Sequence, residues 1–341
     1  MNDYSDLTPR RRRRTLLIVE GNHEKHVLFW LIFKCFPELQ VDFDDVWVYG
    51  TNIYMLYDDI VREYDADWDE VDVDLPYLVS KKSNLNSIQR KNDFINVYLV
   101  FDYERHDPSF SEEKIVRLQK YFSDSTDVGQ LYLNYPMIES YQDMPGFPDD
   151  AFMNHKVSVT VRPGSVYKGT IRSSVIARMT GLPQKIREIL KGRFGIANNA
   201  DVETCMLHIL SLMHEETFVE DTISFLARYV NKQDAITAAN QFEDLVKKQS
   251  YLSEGIDFWV HMKNVFKTII RYHICKADRI VSNNESTLNY ADRFRNINYQ
   301  KILLAQNKVS ADDDKGFIWV LNTSVLLVPE YNISLVSDRS Q

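Results

Sequence analysis

Three short apolar runs near the start of the chain each stop dead against a polar cluster. Leu16-Leu17-Ile18-Val19 meets Glu20-Gly21-Asn22-His23-Glu24, Val46-Trp47-Val48-Tyr49 meets Gly50-Thr51-Asn52, and residues 95–101 (INVYLVF) meet Asp102-Tyr103-Glu104. Runs this short, rich in β-branched and aromatic residues and bounded by glycine or acids, read as strands. The stretches between them read as helices. Residues 23–36 are apolar almost all round, as a heavily buried helix would be, and residues 53–64 have a helical pattern. A helix at roughly 111–122 precedes another short strand at 130–134. Strands alternating with helices predict an α/β fold with a mostly parallel sheet covered on both faces. Ligand sites in such sheets form at the carboxyl ends of the strands, and both acid clusters fall there.

The rest of the chain carries less chemistry. Residues 65–93 are acidic, then basic, and read as an insertion loop. Residues 155–175 are basic and turn-rich. From about 183 to 280 the apolar spacing becomes helical, and residues 316–328 look like a strand pair turning at Asn322-Thr323. The expected organisation is a basic tail over 1–14, an α/β domain over 15–150 and a mainly α-helical domain over 151–341. That division suits a length of 341 residues. With 44% apolar residues there is enough material for real cores. Three scattered cysteines, Cys35, Cys205 and Cys275, fit reduced thiols rather than a disulfide frame or zinc ribbon. Cys35 reads as core. No run suits a signal peptide or a membrane span, so a soluble cytoplasmic protein is expected. The net charge of −9 does not advertise nucleic-acid binding, although Arg10–Arg14 form an unbroken basic run that reads equally well as a solvated tail.

The acids are the chemical signal. Glu20 ends the first strand, Glu24 lies one turn into the next helix, and Asp102 and Glu104 follow the third strand, with Asp107 nearby. On neighbouring parallel strands they would converge. Gathered carboxylates repel and raise each other's pKa unless a cation joins them, and hard oxygen ligands suit Mg²⁺, with Mn²⁺ as the alternative. Taken singly, each acid has a plainer explanation. Glu24 reads as a first-turn acid favoured by the helix dipole, and Asp102 with Glu104 as a loop start or cap. Order and strand-end placement together favour the metal site.

The stretches "LLIVEGNHEK", "VWVYGTNI" and "VYLVFDYERHD" follow the order strand-Glu-Gly-x-x-Glu-helix, strand-Gly-x-Asn, strand-Asp-x-acid. In that order the chain resembles a Toprim domain, the metal-binding fold shared by topoisomerases, primases, recombination proteins and the overcoming-lysogenization-defect nucleases. A fourth stretch, "LYLNYPMIESY" (131–141), is similar to a segment following the acid pair in a bacterial defence subset. The resemblance covers roughly residues 14–141. It implies a Toprim-like, mostly parallel sheet flanked by helices. By position, Glu20 matches the catalytic glutamate, Glu24 its acidic partner and Asp102 the first acid of an Asp-x-Asp motif. Glu104 stands where the motif has aspartate, one methylene shorter. The implied metal ligands are Glu20, Asp102, Glu104 and Glu139, with Glu20, Glu24, Asp102 and Glu104 catalytic. Glu139 reads equally well as an acid at a helix start after Pro136.

Arg162, Lys168, Arg172 and His106 are candidate phosphate contacts, although a solvated basic loop accounts for the three cations and a loop histidine for His106. His23 and His26 flank Glu24 and read as packing residues. The resemblance to effector subunits of PARIS-type anti-phage systems implies a Mg²⁺-dependent endonuclease. It further implies tRNA as the favoured substrate with DNA as competitor, an ABC-class ATPase partner that holds the nuclease inactive, and a homo-oligomer on release. No Gly-x-x-x-x-Gly-Lys-Ser/Thr loop occurs in the chain, so ATP hydrolysis would belong to the partner. The rival reading is a non-catalytic Toprim-fold binding or assembly subunit.

Overall fold

The computed structural model describes residues 14–83, 87–144, 146–161, 165–249, 255–282 and 287–337. Most of the expected basic tail lies outside them. Arg14, expected as its last residue, instead opens the first strand and pairs with Asp45 at 2.7 Å.

The first half builds a sheet from β1 (Arg14–Val19), β2 (Val46–Val48), β3 (Phe94–Asp102), β4 (Ser123–Asp124) and β5 (Gly129–Tyr135), in the order β2-β1-β3-β5-β4. β2, β1, β3 and β5 are mutually parallel. The helices between them are α1 (Trp30–Cys35), α2 (Ile53–Tyr64), α3 (Leu75–Lys82) and α4 (Glu112–Tyr121). α2 starts where Asn52 accepts a hydrogen bond from the Met55 N–H, and α4 where Ser111 accepts one from Lys114. Both are N-caps that satisfy an otherwise unpaired helix donor. The segment expected as one α-helix over 23–36 differs at its start. Asn22 and His23 open the helix, Glu24–Phe29 winds as a π-helix, and the α form resumes at Trp30. The expected insertion loop is largely ordered, with Trp68 fully buried and α3 inside it.

The second half contributes β6 (Lys156–Ser158), α5 (Ser165–Ile171), α6 (Val175–Thr180), α7 (Leu182–Gly192), α8 (Asn199–Leu212), α9 (Phe218–Leu226), α10 (Lys232–Val246), α11 (Phe258–Ser282), α12 (Tyr290–Arg295), α13 (Tyr299–Ser310), β7 (Phe317–Trp319), β8 (Leu321–Asn322) and α14 (Leu327–Asn332). The chain is thus mixed α/β, a mostly parallel sheet flanked by helices. No described helix is long and apolar enough to cross a membrane. The terminal strand pair expected over 316–328 does not form. β7 pairs with β6, β8 adds antiparallel to β5, and the chain then turns helical. The apolar residues around Val325 bury against the helices instead of alternating.

Strand periodicity sorts the core into two layers. Leu17, Val19, Val100 and Tyr132 face the first helix, α8 and α11, while Leu16, Ile18, Leu99, Phe101 and Leu133 face α2, α4 and α13. A buried polar knot joins the chain's end to the sheet. Asn322 Nδ2 donates to the Ile138 carbonyl at 2.7 Å, and Asn322 Oδ1 accepts from Ser324 Oγ at 2.6 Å and the Val325 N–H at 3.2 Å. Thr323 Oγ1 donates to the Leu133 carbonyl at 2.7 Å, and Asn134 Oδ1 accepts from the Ser324 N–H at 3.2 Å.

A buried polar group left unpaired costs about 1–3 kcal/mol. Asn322→Leu strands several at once, so urea unfolding should show a loss of about 2–4 kcal/mol. Thr323→Val, which removes one bond, should lose clearly less. Equal losses would mean that the knot does not act as a unit.

Candidate metal centre at the carboxyl edge of the sheet

Parallel register sets the geometry. β1 and β3 run side by side, with Val19 opposite Val100. The Glu20 N–H donates to the Val100 carbonyl at 3.0 Å, so the ladder continues one residue past the strand. Glu20 Oε2 then accepts from the Asp102 N–H at 3.1 Å. The two acids therefore stand together at the sheet's rim. On the next turn Glu24 folds back, and its Oε2 accepts from the Gly21 N–H at 3.1 Å. A Cβ on Gly21 would lie 3.2 Å from that same oxygen, so glycine is what allows this close approach.

Beyond β3 the backbone turns sharply. Glu104 sits at φ 42°, a left-handed conformation that costs a non-glycine residue of order 1 kcal/mol. This places its side chain with Glu20, Glu24, Asp102, Met137, Ile138 and Lys168 on the wall of a cavity of about 410 Å³. Asn52, the cap of α2, donates to Asp107 Oδ2 at 2.7 Å and lowers the pKa of the Glu104 carboxyl against the effect of its burial. It is a supporting residue not singled out from sequence, although its place in the Gly-x-Asn stretch before a helix was a legible signal. Glu139 stands on a short 3₁₀ turn, Ile138–Gln142, and its Oε1 takes Lys168 Nζ at 2.9 Å.

Of the expected site residues, Glu20, Glu24, Asp102 and Glu104 share one cavity with Lys168, and Glu139 reaches them through Lys168. His106 is exposed, and Asp107 is occupied by Asn52 and by the Ser109 N–H at 2.7 Å. Arg172 is exposed on the turn after α5 and lies off the cavity wall. Arg162 lies outside the described residues. Tyr167, beside Lys168, is buried and donates to Asp143 Oδ2 at 2.8 Å, anchoring α5. His26 packs edge-on against Phe43, and Cys35 is buried as expected.

The electrostatics are those of an acid cluster short of positive charge. Burial first, then the neighbouring Glu104, pushes Glu20 up to about 9. Burial raises Glu24 to about 7, with Glu139 adding to it. Asp102 is driven well above the usual carboxylate range by burial and by Glu20, Glu24 and Glu139. Glu104 is raised by burial and by Asp107. Among the described residues, Lys168 is the only cation on this wall. Burial works against its charge, but Glu139 and the other acids hold its pKa above the ordinary lysine value. Asp102 Oδ1 and Glu139 Oε2 are buried with no hydrogen-bond partner. Among the described residues, no three acidic, histidine or cysteine side chains are gathered closely enough to hold an ion as they stand. The donor chemistry nonetheless fits a hard divalent cation: carboxylate oxygens, two of them orphaned, with too little positive charge nearby.

Compared with protein-family models, curated proteins and solved structures, the chain gives no match.

A carboxyl whose folded pKa lies above its unfolded value contributes stability at low pH, and loses it as pH rises toward the folded value. For Glu24, going from 4.5 to about 7 amounts to roughly 3 kcal/mol at about 1.4 kcal/mol per unit. In EDTA, thermal stability should therefore fall as pH rises from about 5 to 9, and Glu20→Gln should flatten the curve. A wild-type curve that rises across this window would contradict the buried-acid description.

Proposed function

We propose that the chain is a metal-dependent nuclease of Toprim type. One observation carries this reading: four carboxylates from two strand ends and one helix line a single cavity at the carboxyl edge of a parallel sheet, in the order the Toprim resemblance implies. Glu20, Asp102, Glu104 and Glu139 are the side chains that would hold Mg²⁺ or Mn²⁺. When bound, such an ion supplies charge neutralisation to a phosphodiester and lowers the pKa of its water. The Asp102 backbone N–H holds the Glu20 carboxylate beside the Asp102 side chain. Glu24 stands on the same cavity wall as the candidate base for an attacking water. Lys168 caps Glu139 at the cavity's edge, where it can turn toward a phosphate oxygen.

In this reading the nuclease is the cytoplasmic effector of an anti-phage system. An ABC-class ATPase holds it inactive, tRNA is its favoured target with DNA the competitor, and release brings a homo-oligomeric form. Support for the partner and the target comes from the resemblance of the motif stretches alone.

The test is cleavage of total tRNA, single-stranded DNA and duplex DNA by wild type and Glu20→Ala in Mg²⁺, Mn²⁺ or EDTA, with and without a co-expressed ATPase, alongside a cell-toxicity assay. Wild type should cut in metal only. Glu20→Ala should fall by at least about 100-fold, because even outer-shell partners of a metal are worth 10–100-fold. A non-catalytic assembly subunit would instead show no metal dependence and no difference between the two proteins.

A further inference from the structure

Beside the acid cavity lies a second, larger hollow of about 980 Å³, and Asn22 and His23 line both. Its walls follow from helical spacing. His23, His26, Trp30 and Lys34 project from one face of the first helix, while Arg187 and Lys191, one turn apart, come from α7 across the gap. α8 supplies the floor through Glu203, which accepts from Trp30 Nε1 at 2.8 Å and from Arg187 at 3.1 Å.

Three features set this hollow apart. Its charge is the reverse of its neighbour's: Lys34, Arg187 and Lys191 face a single acid, Glu203, in a chain whose net charge is −9. Aromatic surface from the partly exposed Phe33 and Phe43 is interleaved with the cations, and the buried Trp30 lies behind them with the Arg187 guanidinium 5.6 Å from its ring centre. At the junction with the acid cavity, His23 Nε2 is buried without a hydrogen-bond partner.

Cations alternating with ring faces are what a single nucleic-acid strand requires: phosphates meet charge and bases meet aromatic planes. The volume suits a group of nucleotide size. We infer that this cleft is the seat of the unpaired nucleotide next to the scissile phosphate, so that the substrate is single-stranded where it is cut. The strand enters over Lys34 and Lys191, lodges a base against the partly exposed Phe43, and passes its next phosphate by His23 to the acids.

This inference rests on the nuclease reading, and binding without metal separates the two. Fluorescence anisotropy in EDTA would follow labelled eight-nucleotide RNA and DNA strands with wild type, Lys34→Glu/Lys191→Glu, Phe43→Ala, Glu20→Ala and Lys120→Glu. Lys34 and Lys191 are exposed, so their reversal spares the fold, which a thermal melt checks. Lys120 sits on α4, on the opposite face of the sheet.

The double reversal should weaken binding about 10- to 100-fold and flatten the salt slope by about 1.4, at about 0.7 per lost phosphate contact. Phe43→Ala should cost at least about fivefold. Lys120→Glu should bind as wild type does, and Glu20→Ala, which removes an acid beside the phosphate's path, should bind at least as tightly. The RNA and DNA arms report which sugar the cleft prefers.

The inference is overturned if wild type binds neither strand or if the double reversal binds normally. It is also overturned if a blunt duplex competes better than the single strand, or if polyglutamate of equal charge competes as well. Metal-dependent cleavage with an unchanged KM in the double reversal would sink the cleft and spare the nuclease. Cleft-dependent binding with no cleavage in any metal would do the opposite.

Discussion

The parallel pairing of β1 with β3 is the constraint on which the rest depends. Once Val19 lies opposite Val100, Glu20, one residue further on, and Asp102, two residues further on, both fall at the sheet's rim. Two buried carboxyls in that position are expensive, since desolvation and mutual repulsion both oppose their ionisation. The structure meets part of that cost locally. The Asp102 amide serves Glu20, the Gly21 amide serves Glu24, and Asn52 serves Asp107 beside Glu104. What is left over appears as raised pKa values and as the orphaned oxygens of Asp102 and Glu139.

The second half of the chain belongs to this arrangement. β8 extends the edge of β5, and the knot of Asn322, Thr323 and Ser324 grips both the end of β5 and the turn bearing Glu139. Tyr167, held by Asp143, fixes the helix that presents Lys168 to Glu139. The fifth acid and the cavity's cation are thus placed by elements well separated in sequence from the strands carrying the first four acids. α7 and α8 complete the neighbouring cleft against the first helix. Acid cavity and cationic cleft meet at Asn22 and His23, so positive and negative surface are segregated within a few residues of each other. That separation would let a polyanion approach an acidic site without meeting its repulsion first.

Local pattern was legible where one residue type dominates a short window. The strand at 94–102, the helix at Ile53–Tyr64 with its Asn52 cap, and the acids at strand ends could all be read in advance, because periodicity, capping and strand termination are decided by near neighbours. Reading failed where distant packing decides. Residues 316–328 carry an apolar run that suits a hairpin, yet the sheet offered β5 an edge partner and the core absorbed Val325 and its neighbours. Residues 65–93 looked like loop because their charges conceal Trp68, whose burial anchors the segment. The π-wound start of the first helix has no mark in its composition.

By itself, the sequence determined the alternation of strand and helix and the identity of the acids, because both are written in residues adjacent along the chain. Only the tertiary structure decided that Lys168 and Glu139 meet, that Asn322 ties the end of the chain to β5, and that Lys34 and Lys191 face each other across a cleft. Those pairings join segments far apart in sequence. Their distances come from how the helices pack on the sheet, and no local spacing encodes that.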